Sequence, residues 1–301
     1  MVLRGSAQNP APDGASGKGE GRELPAHIRA QLASAGRTTD TAGQPWKGRN
    51  LGEGSSHKHQ FAQDSGQTEP QVEQELGRFI RGQAAEEDLV RVLGQSRVFA
   101  PILAAVSHSV ITEQGLVADK ESEMALVSIK APDGRKALPV FTSVAALTSW
   151  HQQARPVAAQ LRRAALAAVE DENQLIVVNP GQDFTFVVRR PAVWAIAQGK
   201  KWLPSYKDPL ILEALNRFAR QVEPIKKVEI AAGDGVASAT RSGMKVKGGG
   251  PGPELKIMLK LLPGLTRKQL QEALAAFQEL LAGSTLVAER VDSVQLALLR
   301  Q

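Results

Sequence analysis

Residues 138–150, LPVFTSVAALTSW, decide how this sequence folds. Leu138–Phe141 is a short apolar run of strand length. Thr142 and Ser143 supply hydroxyls of the kind that cap a helix N-terminus. Val144–Trp150 then reads as a short apolar helix ending near Trp150. Upstream, Met124–Lys130 and Lys136–Phe141 flank Pro132-Asp133-Gly134, a strong turn sequence. Ala125, Val127 and Ile129 alternate as in a strand with one wet face. The opening stretch is therefore expected as the exit of a β-hairpin that runs into a capped helix. It carries packing information and no evident chemistry.

The same reading extends in both directions. Pro70–Gly82 and Ala84–Gly94 read as helices, with Val72, Leu76, Phe79 and Ile80 at helical spacing in the first. Arg97–Val106 is a continuous apolar strand, and Pro101 inside it points to an edge or a bulge. Beyond Trp150 follow a short strand at Arg155–Val157, a helix at Ala158–Val169 and strands at Gln174–Val178 and Asp183–Arg189. Pro191 opens a short helix that Gly199 closes. Leu210–Val222 is an amphipathic helix, Ile225–Ala231 a strand, and residues 232–253 a flexible Gly-rich loop. Glu254–Leu262 is a strand, Thr266 and Gln269 form a capping-box pattern before the helix Leu270–Leu281, and Leu286–Leu299 closes as a strand broken near Asp292.

The N-terminal end differs in kind. Residues 1–22 hold too little bulky apolar surface to offset ordering entropy, and are expected to be disordered. Residues 23–70 read as an extended arm with one short helix carrying Ile28 and Leu32, and with Trp46 and Phe61 as its anchors.

Composition bounds the function. The chain has 301 residues, 42% apolar and only 4% aromatic, so its core rests on Val, Leu, Ile and Ala. It contains no Cys, which excludes disulfides, thiolate catalysis and Cys-ligated metal centres. The N-terminus lacks a signal-peptide core and no apolar run reaches membrane-spanning length. A cytoplasmic protein without a membrane anchor is expected. The net charge of +6 arises entirely within residues 199–301, which hold 16 basic and 10 acidic side chains.

No catalytic, cofactor-binding or metal-binding set emerges. His57 and His59 flank Lys58, too few ligands and too much positive charge for a structural metal site. His108 between two serines is explained by loop polarity, and no nucleophile-elbow motif accompanies it. Glu170-Asp171-Glu172 are consecutive and do not converge on one ion. Gly248–Gly252 lacks the Lys-Ser/Thr of a phosphate loop. Lys200-Lys201-Trp202 with Tyr206-Lys207 combines cations and rings, the elements of a single-strand nucleic-acid binder. The candidate partner surface is Val144, Leu147, Trp150, Trp194 and Trp202, apolar residues that serve either the core or an interaction face.

Leu138–Trp150 resembles the signature of the SseB N-terminal domain family, as does Phe186-Val-Val-Arg-Arg-Pro-Ala-Val-Trp194-Ala. The arm, through Glu23–Ile28 and Thr39–Trp46, is similar to that of the actinobacterial-type members. The C-terminal part, from Gly252–Leu255 to Leu286–Ser293, is similar to their C-terminal module. The resemblance implies no established catalytic residue or cofactor; the family takes its name from enhanced serine sensitivity. The expectation is an α+β protein of two small mixed α/β domains with a disordered N-terminus and an extended N-terminal arm. Its domains are 71–203, the SseB N-terminal-like domain, and 204–301, a C-terminal domain with the loop 232–253. The expected function is protein binding or regulation without enzymatic activity, with a protein partner and no cofactor. Nucleic-acid binding through the basic C-terminal third is the second reading, and an unrecognised enzyme the third.

Overall fold

The computed structural model describes residue 61, residues 64–104 and residues 124–299, all within the compact unit Gly52–Gln301. The expected tail 1–22, nearly all of the arm 23–70 with Trp46, His27, His57 and His59, and the segment around His108 lie outside the described residues.

Helix α1 (Pro70–Ile80) opens on proline, whose missing N–H costs nothing in the first turn. It buries Val72 and Phe79. Helix α2 (Glu86–Gly94) buries Leu89, Val90 and Leu93, and its first turn is acidic, as the helix dipole favours. Strand β1 (Arg97–Ala104) pairs antiparallel with β2 (Met124–Leu126) on one side and β5 (Arg155–Gln160) on the other. The second sheet has the order β3 (Ile129–Lys130), β4 (Lys136–Val140), β6 (Leu175–Val178), β7 (Phe186–Val188). Its central pair, β4 and β6, is parallel. Helix α3 (Val144–Trp150) follows β4, α4 (Leu161–Glu170) follows β5, and α5 (Arg190–Gln198) follows β7 and ends on Gly199 at φ 66°. The two sheets meet where Phe99 and Phe141 exchange both backbone hydrogen bonds, at 2.7 and 2.9 Å.

The C-terminal part starts with a 3-10 turn (Ser205–Lys207) and α6 (Pro209–Ala219), capped by the Asp208 carboxylate. Strand β8 (Ile225–Ala232) precedes a short hairpin of β9 (Ser238–Ala239) and β10 (Lys245–Val246). Strand β11 (Leu255–Leu261) is followed by α7 (Arg267–Ala282), α8 (Thr285–Arg290) and β12 (Val294–Leu298). The sheet order is β12-β11-β8, parallel between β11 and β12 and antiparallel between β11 and β8. Its core joins Leu255, Ile257 and Leu259 to Ile211, Leu215, Phe277 and Leu281. The fold class is α+β, as expected.

Four local expectations are modified. Pro101 lies in the central strand of its sheet, opposite Pro156. It is tolerated there because β1 changes neighbours at this point, from Phe141 to β2, and Val127 N–H donates to the Pro101 carbonyl. The run Met124–Lys130 is not one hairpin strand: Met124–Leu126 pairs with β1, and Ile129–Lys130 with β4. Leu286 belongs to helix α8 and not to a strand, because the Ser284 hydroxyl accepts from Val287 N–H and caps a helix there.

The fourth concerns the Gly-rich segment. Residues 248–250 are buried, and the segment carries the β9–β10 hairpin. A Cβ on Gly248 would lie 2.7 Å from the Phe79 ring, and one on Gly249, at φ 75°, 2.7 Å from the Phe186 ring. These glycines permit close backbone approach, a packing role. Gly249→Ala is expected to cost about 2–4 kcal/mol, from the left-handed backbone plus overpacking; urea denaturation of the two proteins checks it.

Candidate functional site

The hydroxyls after β4 organise one buried polar network. Thr142 N–H donates to Asn179 Oδ1 at 2.9 Å, and Asn179 Nδ2 donates to Thr142 Oγ1 at 3.1 Å. Asn179 follows β6 at φ 53°, a conformation that Asn tolerates better than most residues. The C-terminal ends of the parallel pair are thereby tied together. Thr68 Oγ1 adds a third hydroxyl, 3.0 Å from Thr142 Oγ1. Ser143 is the true N-cap of α3, accepting from Ala146 N–H at 3.1 Å. Asn179→Ala is expected to lose about 2–3 kcal/mol, and Asn179→Gly less, because glycine relieves the backbone but not the lost hydrogen bonds. Equal losses in thermal unfolding of the two variants would contradict this.

Arg97, only 4% exposed, clasps the chain before α1 onto this network. It donates to Asp64 Oδ2 at 2.7 Å, Gln67 O at 2.6 Å and Thr142 O at 2.9 Å. Its guanidinium lies 4.2 Å from the centroid of the Phe99 ring. Gly66 O accepts from Val144 N–H, so the same segment also holds the first turn of α3.

The candidate partner residues separate here. Leu147 is fully buried with Phe99, Phe141 and Ala154, and is not available to a partner. Val144 and Trp150 pack at the rim of that cluster and stay partly exposed. Trp150 lies 5.3 Å from Phe141 by ring centroids. Trp194, on α5, is partly exposed under the Arg190 guanidinium at 5.2 Å. Trp202 is partly buried, and its Nε1 has no hydrogen-bond partner. The structure thus gathers Val144, Leu147 and Trp150 in one cluster that does not include Trp194 or Trp202.

A second buried network joins α2 and the start of α5 to the C-terminal sheet. Arg189 is 2% exposed. It donates to Gly252 O at 2.7 Å, Gly250 O at 2.6 Å and Gly235 O at 3.2 Å, and lies 3.5 Å from Asp292 Oδ2. Asp292 also takes Arg135 Nη1 at 2.7 Å. Glu254 accepts from Ser205 N–H at 3.0 Å and Asp292 N–H at 2.9 Å. Glu86, from α2, accepts from Gly249 N–H and from the Tyr206 hydroxyl, both at 3.3 Å. Burial pushes Glu86 and Glu254 above the ordinary carboxylate range, against the opposing attraction of Arg189. Burial and the charge of Glu86 hold the Tyr206 phenol well above its ordinary range.

Raised carboxyl pKa values often mark catalytic acids. Here both carboxylates are buried and turned to donors inside the protein. Tyr206, read as a stacking ring, packs against the C-terminal core, and Lys207 pairs with Glu87 at 2.9 Å. Among the described residues no three His, Asp or Glu side chains gather as metal ligands, and no helix is long and apolar enough to cross a membrane.

Residues 72–195 match the family described as SseB protein N-terminal domain. Over these residues the chain carries an SseB-type N-terminal domain. Comparison with curated proteins and with solved structures gives no match. The matched residues include Arg97, Thr142, Trp150 and Asn179, and also Glu86 and Arg189. The groups that Arg189 meets, Asp292 and the carbonyls of residues 235, 250 and 252, lie beyond the matched residues. Neither Arg97 nor Arg189 stands out in sequence, because an isolated arginine reads as surface. The one hint was Arg189-Arg190 inside an otherwise apolar stretch.

Proposed function

We propose that this SseB-family chain is a non-enzymatic protein-binding or regulatory protein of the cytoplasm, in which residues 204–301 act as an SseB-like C-terminal module. The observation that supports this is where its polar chemistry is spent. Arg97, Arg189, Glu86, Glu254 and Asp292 each face a partner inside the protein, while Val144, Trp150 and Trp194 keep apolar surface at its boundary. An apolar groove of about 240 Å³ between β11 and α7 is below the size of most small-molecule pockets. Nucleic-acid binding has exposed Lys200 and Lys201 in its favour, without the Tyr206 ring to stack on a base.

The test is affinity capture with the tagged full chain and with its Trp150→Ala and Trp194→Ala variants, each first shown to fold by circular dichroism. Recovery of one reproducible protein by the wild type, lost in a folded variant, supports the reading. Recovery of nucleic acid alone, with binding that weakens steeply as salt rises, would replace it by the second reading.

A further inference from the structure

We propose that the chain self-associates through β12, pairing antiparallel with β12 of a second copy to make one continuous six-stranded sheet. Strand β12 is an edge: β11 pairs with one side, and among the described residues no strand pairs with the other. The opposite edge of the same sheet, β8, is guarded by Lys226, Lys227 and Glu229, the usual device against strand addition. Strand β12, with the sequence VQLAL, carries no charge. Two of its residues, Val294 at 37% and Leu298 at 49%, are among the few large apolar side chains of the described chain that are exposed.

The hydrogen-bond phase identifies which backbone groups face outward. Leu255 N–H donates to Ser293 O, and Leu299 N–H donates to Leu259 O. In a parallel ladder the residues bonded to a neighbour alternate. Gln295 and Ala297 therefore face β11, and Val294, Leu296 and Leu298 present their N–H and C=O groups to the open side. These three are symmetric about Leu296. A two-fold axis at Leu296 sets Val294 against the partner's Leu298, and Leu296 against the partner's Leu296. All three become hydrogen-bonded antiparallel pairs, and no charge is buried.

The side chains agree with this register. Leu296 packs against the C-terminal core, and Leu298 lines the groove with Leu259, Leu261, Leu265 and Leu270. Pairing extends that apolar layer across the axis and covers the two exposed side chains. A self-matching edge with isologous symmetry fits a second copy better than an unrelated peptide, which would have to supply the same pattern by chance.

Light scattering on the full chain tests this. The wild type is expected to approach twice its 32.2 kDa mass as concentration rises. Leu298→Lys, which sets a charge against the partner's Val294, is expected to stay monomeric with an unchanged circular dichroism spectrum. Val294→Pro removes an outward N–H without touching the ladder to β11, and serves if the lysine variant misfolds. Leu210→Lys, an exposed apolar site on α6, is the control that should still dimerise. Since the chain has no Cys, register can be read by cross-linking. Hydrogen-bonded antiparallel pairs have Cα atoms about 5.5 Å apart, within disulfide reach. Leu298→Cys mixed with Val294→Cys should form an intermolecular disulfide more readily than Leu298→Cys alone. A monomer at every concentration, a dimer unaffected by both edge variants, or equal cross-linking by Leu298→Cys alone would overturn the proposal.

Discussion

Replacing Arg189 by Met is expected to lower stability by about 3–5 kcal/mol, the scale for removing one partner from a buried ionic network. The shape of the side chain is roughly kept, so the loss reports charge and hydrogen bonding. The carbonyls of residues 250 and 252 lose the guanidinium donor, that of residue 235 keeps only Gly252 N–H, and Asp292 keeps Arg135 and the Ser293 hydroxyl. The deficit is also expected to depend on pH. Arg189 opposes the burial that raises Glu86 and Glu254, so without it their folded pKa values rise further. A carboxyl whose folded pKa is raised contributes its stability below the unfolded value, here 4.5, and loses it as pH rises through the folded pKa. The variant should therefore fall further behind the wild type as pH rises from about 4.5 towards neutrality. Glu86→Gln in the same background keeps an acceptor for Gly249 N–H and carries no charge, so it should recover part of the loss near neutral pH. Urea denaturation at several pH values reads all three; a pH-independent deficit would show that charge is not the cause.

Replacing Arg97 by Leu is expected to cost about 2–4 kcal/mol, somewhat less than the Arg189 change. The comparison rests on what each substitution strands. Removing Arg97 leaves one carboxylate, Asp64, whose side chain is 17% exposed and has a route to water. Removing Arg189 leaves the fully buried Asp292 side chain, together with buried Glu86 and Glu254. The Arg97 loss should also be local. The segment 64–68 is held by Arg97 and by Thr68 on Thr142, so hydrogen exchange should rise there and in the first turn of α3. Uniform exchange across the whole unit would contradict a local clasp.

The elements set by short-range rules were legible in the sequence. The Ser143 cap before α3, the Thr266–Gln269 capping box and the Gly199 terminus each need only a few neighbouring residues. What stayed hidden depends on distant partners. Pro101 reads as an edge signal until its neighbouring strand is known to change beside it. Gly248 and Gly249 read as linker until Phe79 and Phe186 press on them. Leu147 and Trp150 are alike in type, and only packing separates the buried one from the one at the rim. Arg97, Arg189, Glu86 and Glu254 look like surface charges, because burial of a charge is affordable only when its partners are in place. Those partners lie between 33 and 163 residues away in the cases of Arg97 with Asp64 and Gly249 with Glu86.

Buried charge around Arg189 is expected to join the SseB domain and the C-terminal sheet into one cooperative unit. Native-state hydrogen exchange tests it most directly, by comparing amides of β6, inside the SseB domain, with those of β11, outside it. In the wild type the slowest amides of both strands are expected to open with the same free energy and the same denaturant dependence. Opening of β11 at low denaturant while β6 stays protected, or the reverse, would contradict it.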